Sequence, residues 1–173
     1  MSETRLRTAL NRDLTRLWSA ISRHRYQIAT AVGPEGRELR RILLRRMPGE
    51  LHEAGLLYRT VARLGGAPTV NSGTADGTGC TRDIVAAYAE EESREHRIYR
   101  QHARLAVRER QDALHRTLSD LADVHGDFAE DMVRLLRQFT DDAAERHREP
   151  EEGDTVAWKP GHFVVPHAVT PGS

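Results

Sequence analysis

The sequence predicts an all-α fold, a four-helix bundle with one long crossover connection and an extended C-terminal tail. Four stretches carry apolar residues at every third or fourth position, which is the period of an amphipathic helix. The first connection is short, whereas the second, residues 65–80, is rich in Gly, Thr and Ser and long enough to cross a bundle. We place the bundle at residues 1–140 and the charged, then Pro/Gly-rich tail at 141–173.

The first helix is predicted from Glu3 to Ala31, because one apolar stripe runs through this stretch and Gly33-Pro34 follows it. The stripe consists of Leu6, Leu10, Leu14, Leu17, Ile21, His24 and Ile28. A histidine therefore lies on the face that is expected to be buried.

The second helix is predicted to run from Glu35 to Leu64, because the following Gly65-Gly66-Ala67-Pro68 is typical of a helix C-terminus. Its stripe consists of Leu39, Ile42, Leu43, Met47, Glu50, Ala54, Leu57, Val61 and Leu64. Pro48 cannot donate a hydrogen bond to the carbonyl of Leu44, so we expect a kink or break directly before Glu50.

The third helix is predicted to begin at Thr81, as its cap, with Asp83 in the first turn. Its stripe consists of Ile84, Tyr88, Glu91, Glu95, Ile98, His102 and Leu105. The next apolar stripe has a different phase and consists of Leu114, Leu118, Leu121, His125, Phe128, Met132, Leu135 and Phe139. We therefore predict a turn near Arg108 to Asp112; the alternative is one continuous helix over 81–140 in a coiled-coil dimer.

The tail contains Trp158, Phe163, Val164 and Val165, which are too apolar for a purely solvated segment. We expect it to pack on the bundle or on a neighbouring subunit of a homo-oligomer.

The amino-acid composition limits the possible binding partners and the cellular compartment. The formal net charge is zero, so a general affinity for nucleic acid is not indicated. The sequence has no apolar run long enough for a membrane span and no signal peptide, and its single cysteine fits a reducing compartment. We therefore expect a cytoplasmic protein whose partner is a small-molecule substrate or a metal ion.

Each predicted stripe is apolar except near its middle, where a histidine or a glutamate stands. These residues are His24, Glu50, Glu91 with Glu95, and His125. Inward carboxylates and imidazoles from facing helices are how bundles build metal sites, and this ligand set suits iron or manganese. The alternative is that they are structural polar residues whose charges are neutralised by arginine or water.

Over residues 9–140 the chain resembles the ferritin-like superfamily, in particular bacterioferritins and rubrerythrins. The resemblance is carried by four short stretches: Leu10-Asn11 to Ala20-Ile21, Glu50 to Pro68, Glu91 with Tyr99 and Ala103, and His125. It implies a two-iron site with a Glu from the first and third helices and Glu-x-x-His from the second and fourth.

By this resemblance the first-helix Glu falls on Leu17, the second-helix His on Glu53, and the fourth-helix Glu on Ala122. Glu50, Glu91 and His125 remain, and in the family these three contact the same iron. The resemblance thus implies a degenerate di-iron site. The bacterioferritin haem methionine corresponds to Leu51, so no haem is expected.

The expected function is that of an iron- or manganese-dependent oxidase or oxygenase with an incomplete, mononuclear carboxylate-histidine site. Glu50, Glu91 and His125 are the candidate catalytic residues, and Glu53 joins them as a variable fourth metal ligand. Two alternatives remain open: a metal-free binding or structural protein, and a cofactor-independent enzyme that uses the buried carboxylates as acid and base.

Overall fold

The computed structural model describes residues 3–70 and 79–146 and shows four helices packed as a bundle. They are α1 (Glu3–Thr30), α2 (Gly33–Arg63), α3 (Thr81–Arg108) and α4 (Asp112–Arg146). The described residues contain no strand, and the predicted all-α four-helix class is confirmed. α1 packs mainly against α2, and α3 mainly against α4.

The long crossover exists because α2 and α3 run in the same direction. Glu35, at the start of α2, lies 3.9 Å from Arg82, at the start of α3, so the connection must travel the length of the bundle. Its first residues follow α1, where the backbone N–H of Thr69 donates to Asn11 Oδ1 at 2.8 Å. Residues 71–78 lie outside the described part of the chain.

The predicted turn between the third and fourth helices is confirmed, and it is made without glycine or proline. Arg110 adopts a φ of 55°, the left-handed conformation that usually falls to glycine after a helix end. The N–H of Arg110 donates to the carbonyl of Val107 at 3.0 Å, and that of Gln111 donates to the carbonyl of Ala106 at 2.9 Å. This double hydrogen bond ends α3 and excludes the continuous helix.

Two details of the helix ends differ from the prediction. α2 continues through Pro48 without a break. Pro48 leaves the carbonyl of Leu44 without its helical hydrogen-bond donor, and the half-exposed side chain of Leu44 shows that this part of the helix faces solvent. The N-cap of α3 is Cys80 instead of Thr81, and its side chain makes no capping hydrogen bond.

The core consists of two apolar clusters with a polar layer between them. One cluster holds the first half of α1, the second half of α2, the end of α3 and the start of α4. The other holds the first halves of α2 and α3 and the second half of α4. The polar layer lies where all four stripes are interrupted.

The predicted α3 stripe is confirmed at Tyr88 and Glu95 and is shifted by one residue at its other positions. Its buried residues are Val85, Tyr88, Ala89, Glu92, Glu95, Tyr99, Ala103 and Ala106, so Glu92 takes the inward position expected for Glu91. The larger Ile84, Ile98 and Leu105 are only partly buried. Small residues lie inside because α3 packs closely against α4.

α4 continues to Arg146, beyond the predicted domain boundary at 140. The predicted packing of Trp158, Phe163, Val164 and Val165 falls outside the described residues. None of the described helices combines the length and apolar character needed to cross a membrane.

Candidate metal centre

Five buried glutamate and histidine side chains lie in the polar layer, and every helix contributes at least one. They are His24 of α1, Glu50 and Glu53 of α2, Glu92 of α3 and His125 of α4. Each is at most 4% exposed. A lone buried carboxylate costs several kcal/mol, so three of them require counter-charges, protons or a metal ion.

His24, Glu50 and Glu92 converge on one point. Each offers a ligand atom, and these three atoms lie within 4.8 Å of one another. Nδ1 of His24 lies 2.7 Å from Oε1 of Glu50, but the contact lacks the geometry of a hydrogen bond. Two carboxylates and one imidazole at this spacing match the donors that iron and manganese accept.

His125 bridges two of the carboxylates. Its Nδ1 lies 2.5 Å from Glu92 Oε2, and its Nε2 lies 3.0 Å from Glu53 Oε1. Burial alone would lower the pKa of His125, but these two contacts outweigh burial and raise the pKa to about 9. Without a metal, His125 therefore holds a proton between Glu53 and Glu92 at neutral pH.

Tyr99 orients Glu53. Its hydroxyl donates to Glu53 Oε1 at 2.6 Å, and its ring stacks on the His125 ring with 5.1 Å between centroids. Burial and the nearby Glu53 charge raise the pKa of Tyr99 well above its ordinary value, so the hydroxyl keeps its proton. Burial also opposes ionisation of Glu53, yet the contacts from His125, Tyr99 and Arg46 lower its pKa below the ordinary value.

Three buried ligand atoms in this layer lack a hydrogen-bond partner among the described residues. They are Nδ1 of His24, Oε2 of Glu50 and Oε2 of Glu53. A cavity of about 10 Å³ borders Glu50, Glu53 and Glu92, which is room for about one water molecule or one ion. Unsatisfied donor atoms beside an ion-sized space are what a metal site requires, so the residues fit a metal.

Of the predicted site residues, Glu50, Glu53, Glu91 and His125 all border one cavity, but Glu91 lies at its edge. The carboxylate of Glu91 forms an ion pair with Arg23, and its side chain is 22% exposed. Glu92 contacts His125 in its place. The one-residue shift of the α3 stripe explains the difference.

His24 and Glu92 converge with Glu50, although Glu92 was not among the predicted residues and His24 was predicted to face inward without being named as a metal ligand. The signal for Glu92 was available in the small residues Ala89 and Ala103, which share its face of α3. The predicted inward residue Glu95 belongs to a separate network, where Nε of Arg16 donates to its Oε1 at 2.8 Å.

A crystal structure of a ferritin-like, diiron-carboxylate protein from Bacillus anthracis str. Ames is similar to this chain, with a TM-score of 0.74. The two sequences are 23% identical, and the match covers 79% of this chain and 98% of that one. The chain has a ferritin-like fold. No protein-family model matches the sequence, and no curated protein does.

Within this ferritin-like bundle, both positions at which the resemblance had lost a family carboxylate are buried. Leu17 of α1 is 6% exposed and borders the cavity, and Ala122 of α4 is fully buried. The ferritin-like bundle thus has apolar side chains at these two positions, and the polar layer obtains its α1 donor from His24 instead.

Proposed function

We propose that this chain is a metal-dependent ferritin-like protein in which His24, Glu50 and Glu92 hold one iron or manganese ion. The observation that carries the proposal is the convergence of three buried ligand atoms, with His24 Nδ1 and Glu50 Oε2 left without hydrogen-bond partners among the described residues. An ion-sized cavity borders Glu50 and Glu92 of this set. Glu53 lies next to this set as a further ligand, and His125 can join it only after losing the proton that it holds between Glu92 and Glu53. Glu91, the ligand expected from the sequence, has a supporting role through Arg23.

The reaction class we propose, from the expected oxidase or oxygenase, is that of an oxidase, in which a reduced substrate loses electrons and dioxygen gains them. Bound iron supplies one-electron redox chemistry and a Lewis acid. The cavity of about 10 Å³ holds about one water molecule or one ion, so an organic substrate would have to react from outside the carboxylate layer. Acid–base catalysis by the buried carboxylates would need direct contact with the substrate, so the small cavity argues against a cofactor-independent enzyme.

The residues of the chain supply proton handling and exclusion of water. His125 holds a proton between Glu92 Oε2 and Glu53 Oε1 and can pass it to either carboxylate as the charge of the site changes. The Tyr99 hydroxyl fixes Glu53. Tyr88 and Phe128 pack edge-on against the His24 ring and keep this side of the site apolar.

Metal analysis of protein expressed with iron or manganese tests the proposal. We expect about one ion per chain in the wild type and a large loss in His24→Ala, because two carboxylates alone hold such an ion weakly against water. His52→Ala is the matched control, since His52 is an exposed histidine of α2. A wild-type protein without metal after metal-replete expression contradicts the proposal.

A second candidate, a metal-free ferritin-like structural protein, is favoured by one observation. Arg46 and the protonated His125 already offset two of the three buried negative charges. In that case Glu50→Leu should leave the fold intact and raise the melting temperature, because an incompletely compensated buried charge disappears. In the metal-binding protein the same substitution should abolish binding.

A further inference from the structure

Arg46 lies inside the polar layer, although it belongs to none of the predicted stripes. It precedes Glu50 by one helical turn, so both side chains leave the same side of α2. The Arg46 side chain is only 8% exposed, and its guanidinium carbon lies 5.2 Å from the centroid of the Phe128 ring. This contact holds the cation against the apolar side of the layer.

The guanidinium is close to every carboxylate of the candidate site. Nε of Arg46 lies 3.8 Å from Glu50 Oε1, and Nη2 lies 3.7 Å from Glu53 Oε2 and 4.0 Å from Glu92 Oε2. Nη2 is also 3.5 Å from His125 Nδ1. Nε has no hydrogen-bond partner among the described residues, so Arg46 acts on the three carboxylates mainly through its charge.

The charges around Arg46 match one divalent ion. Glu50, Glu53 and Glu92 carry three negative charges, and Arg46 carries one permanent positive charge. Two negative charges remain among these four groups, and one divalent ion neutralises them when His125 is neutral. A second divalent ion among the same carboxylates would lie within a few ångströms of the guanidinium and would be repelled by it.

We propose that Arg46 is a fixed internal cation that takes the place of one metal ion, so that the bundle binds one ion fewer than its carboxylates could otherwise hold. This inference rests on the proposed function for the statement that the wild type binds one ion. The statement that Arg46 lowers the number of bound ions by one is tested separately, by comparing the wild type with an Arg46 variant.

The test measures how many manganese(II) ions bind to chelator-treated protein by equilibrium dialysis. We expect about one ion per wild-type chain and about two in Arg46→Gln, with the first ion bound about tenfold more tightly once the cation is absent. Arg46→Lys keeps the charge and should bind one. Arg45→Gln is the matched control, because Arg45 is the exposed neighbour on the same turn of α2.

Melting temperatures with and without manganese(II) provide a second readout. The gain on adding manganese should be larger in Arg46→Gln than in the wild type, because the metal then supplies the counter-charge that arginine supplied. Arg46→Met, which keeps an apolar contact with Phe128, replaces Arg46→Gln if that variant is insoluble. Failure of both variants to fold in the presence of manganese overturns the inference and makes Arg46 a structural residue.

The outcomes separate this inference from the proposed function. One ion in both the wild type and Arg46→Gln, with equal affinity, overturns the role of Arg46 and leaves the metal centre standing. No ion in the wild type and one in Arg46→Gln supports the role of Arg46 and overturns the wild-type metal centre. No ion in either protein overturns both.

Discussion

Two neighbouring substitutions on α3, Glu92→Gln and Glu91→Gln, should have very different effects on metal binding. Each removes one negative charge and keeps the length of the side chain. Glu92 is 3% exposed, with Oε2 2.5 Å from His125 Nδ1 and a ligand atom near those of His24 and Glu50. Glu91 forms an ion pair with Arg23 at the edge of the layer.

The expected loss of metal affinity follows from these positions. Changing a group in the outer shell of a metal lowers affinity by about 10- to 100-fold, so loss of a carboxylate that binds the ion directly should cost about 100-fold or more. That loss equals about 3 kcal/mol of binding free energy. Glu91→Gln loses a partly exposed ion pair that contributes up to about 1 kcal/mol to stability, and its manganese affinity should stay within about threefold of wild type.

In the absence of metal, Glu92→Gln should also lower the stability of the fold more than Glu91→Gln does. Breaking a buried ion pair costs about 3–5 kcal/mol, and glutamine keeps an acceptor for His125, so Glu92→Gln should lose about 3 kcal/mol. For a chain of this size that corresponds to about 6–12 °C in melting temperature, against less than about 4 °C for Glu91→Gln.

Calorimetric titration with manganese(II) and thermal unfolding followed by circular dichroism measure both quantities on the same samples. Equal losses in the two variants, or a loss confined to Glu91→Gln, refute the register of α3 and restore Glu91 as the ligand. The metal centre is refuted if the wild type binds no metal and Glu92→Gln has a higher melting temperature than the wild type.

Three further predictions concern the turn, pH and the tail. Arg110→Gly should raise the free energy of unfolding by about 1 kcal/mol, because it relieves the left-handed conformation of an arginine. Arg104→Gly, at an exposed position inside α3, should lower it by about 1 kcal/mol, and urea unfolding measures both. In chelator-treated protein the charged His125, with its pKa raised from 6.5 to about 9, stabilises the fold fully below about pH 6.5. Up to about 3 kcal/mol of the free energy of unfolding is then lost as pH rises through 9. Urea unfolding from pH 6 to 9 measures this loss, and His125→Gln should show a smaller dependence of the unfolding free energy on pH. Truncation after Arg148 should lower the melting temperature or change the oligomeric state, and a truncated protein unchanged in both properties by circular dichroism and light scattering contradicts the packing of the tail.

The helices α1, α2 and α4 were predictable because their stripes contain large apolar residues with an unambiguous period. The α3 stripe was not, because both Ile84 and Val85 begin a plausible apolar face and only the packed structure shows that the smaller one faces α4. A shift of one residue turns a helix face by about 100°. That rotation exchanges Glu91 for Glu92.

The sequence by itself determined the all-α class, the crossover and the presence of carboxylates and histidines at the middle of each stripe, because helical periodicity and glycine and proline signals are local. The tertiary structure alone decided which of these groups meet. Arg46 and Glu92 are far apart in the chain, and their charges offset each other only because α2 and α3 bring them within 4.0 Å. Distances between helices depend on how side chains of different size interlock, and no local pattern encodes them.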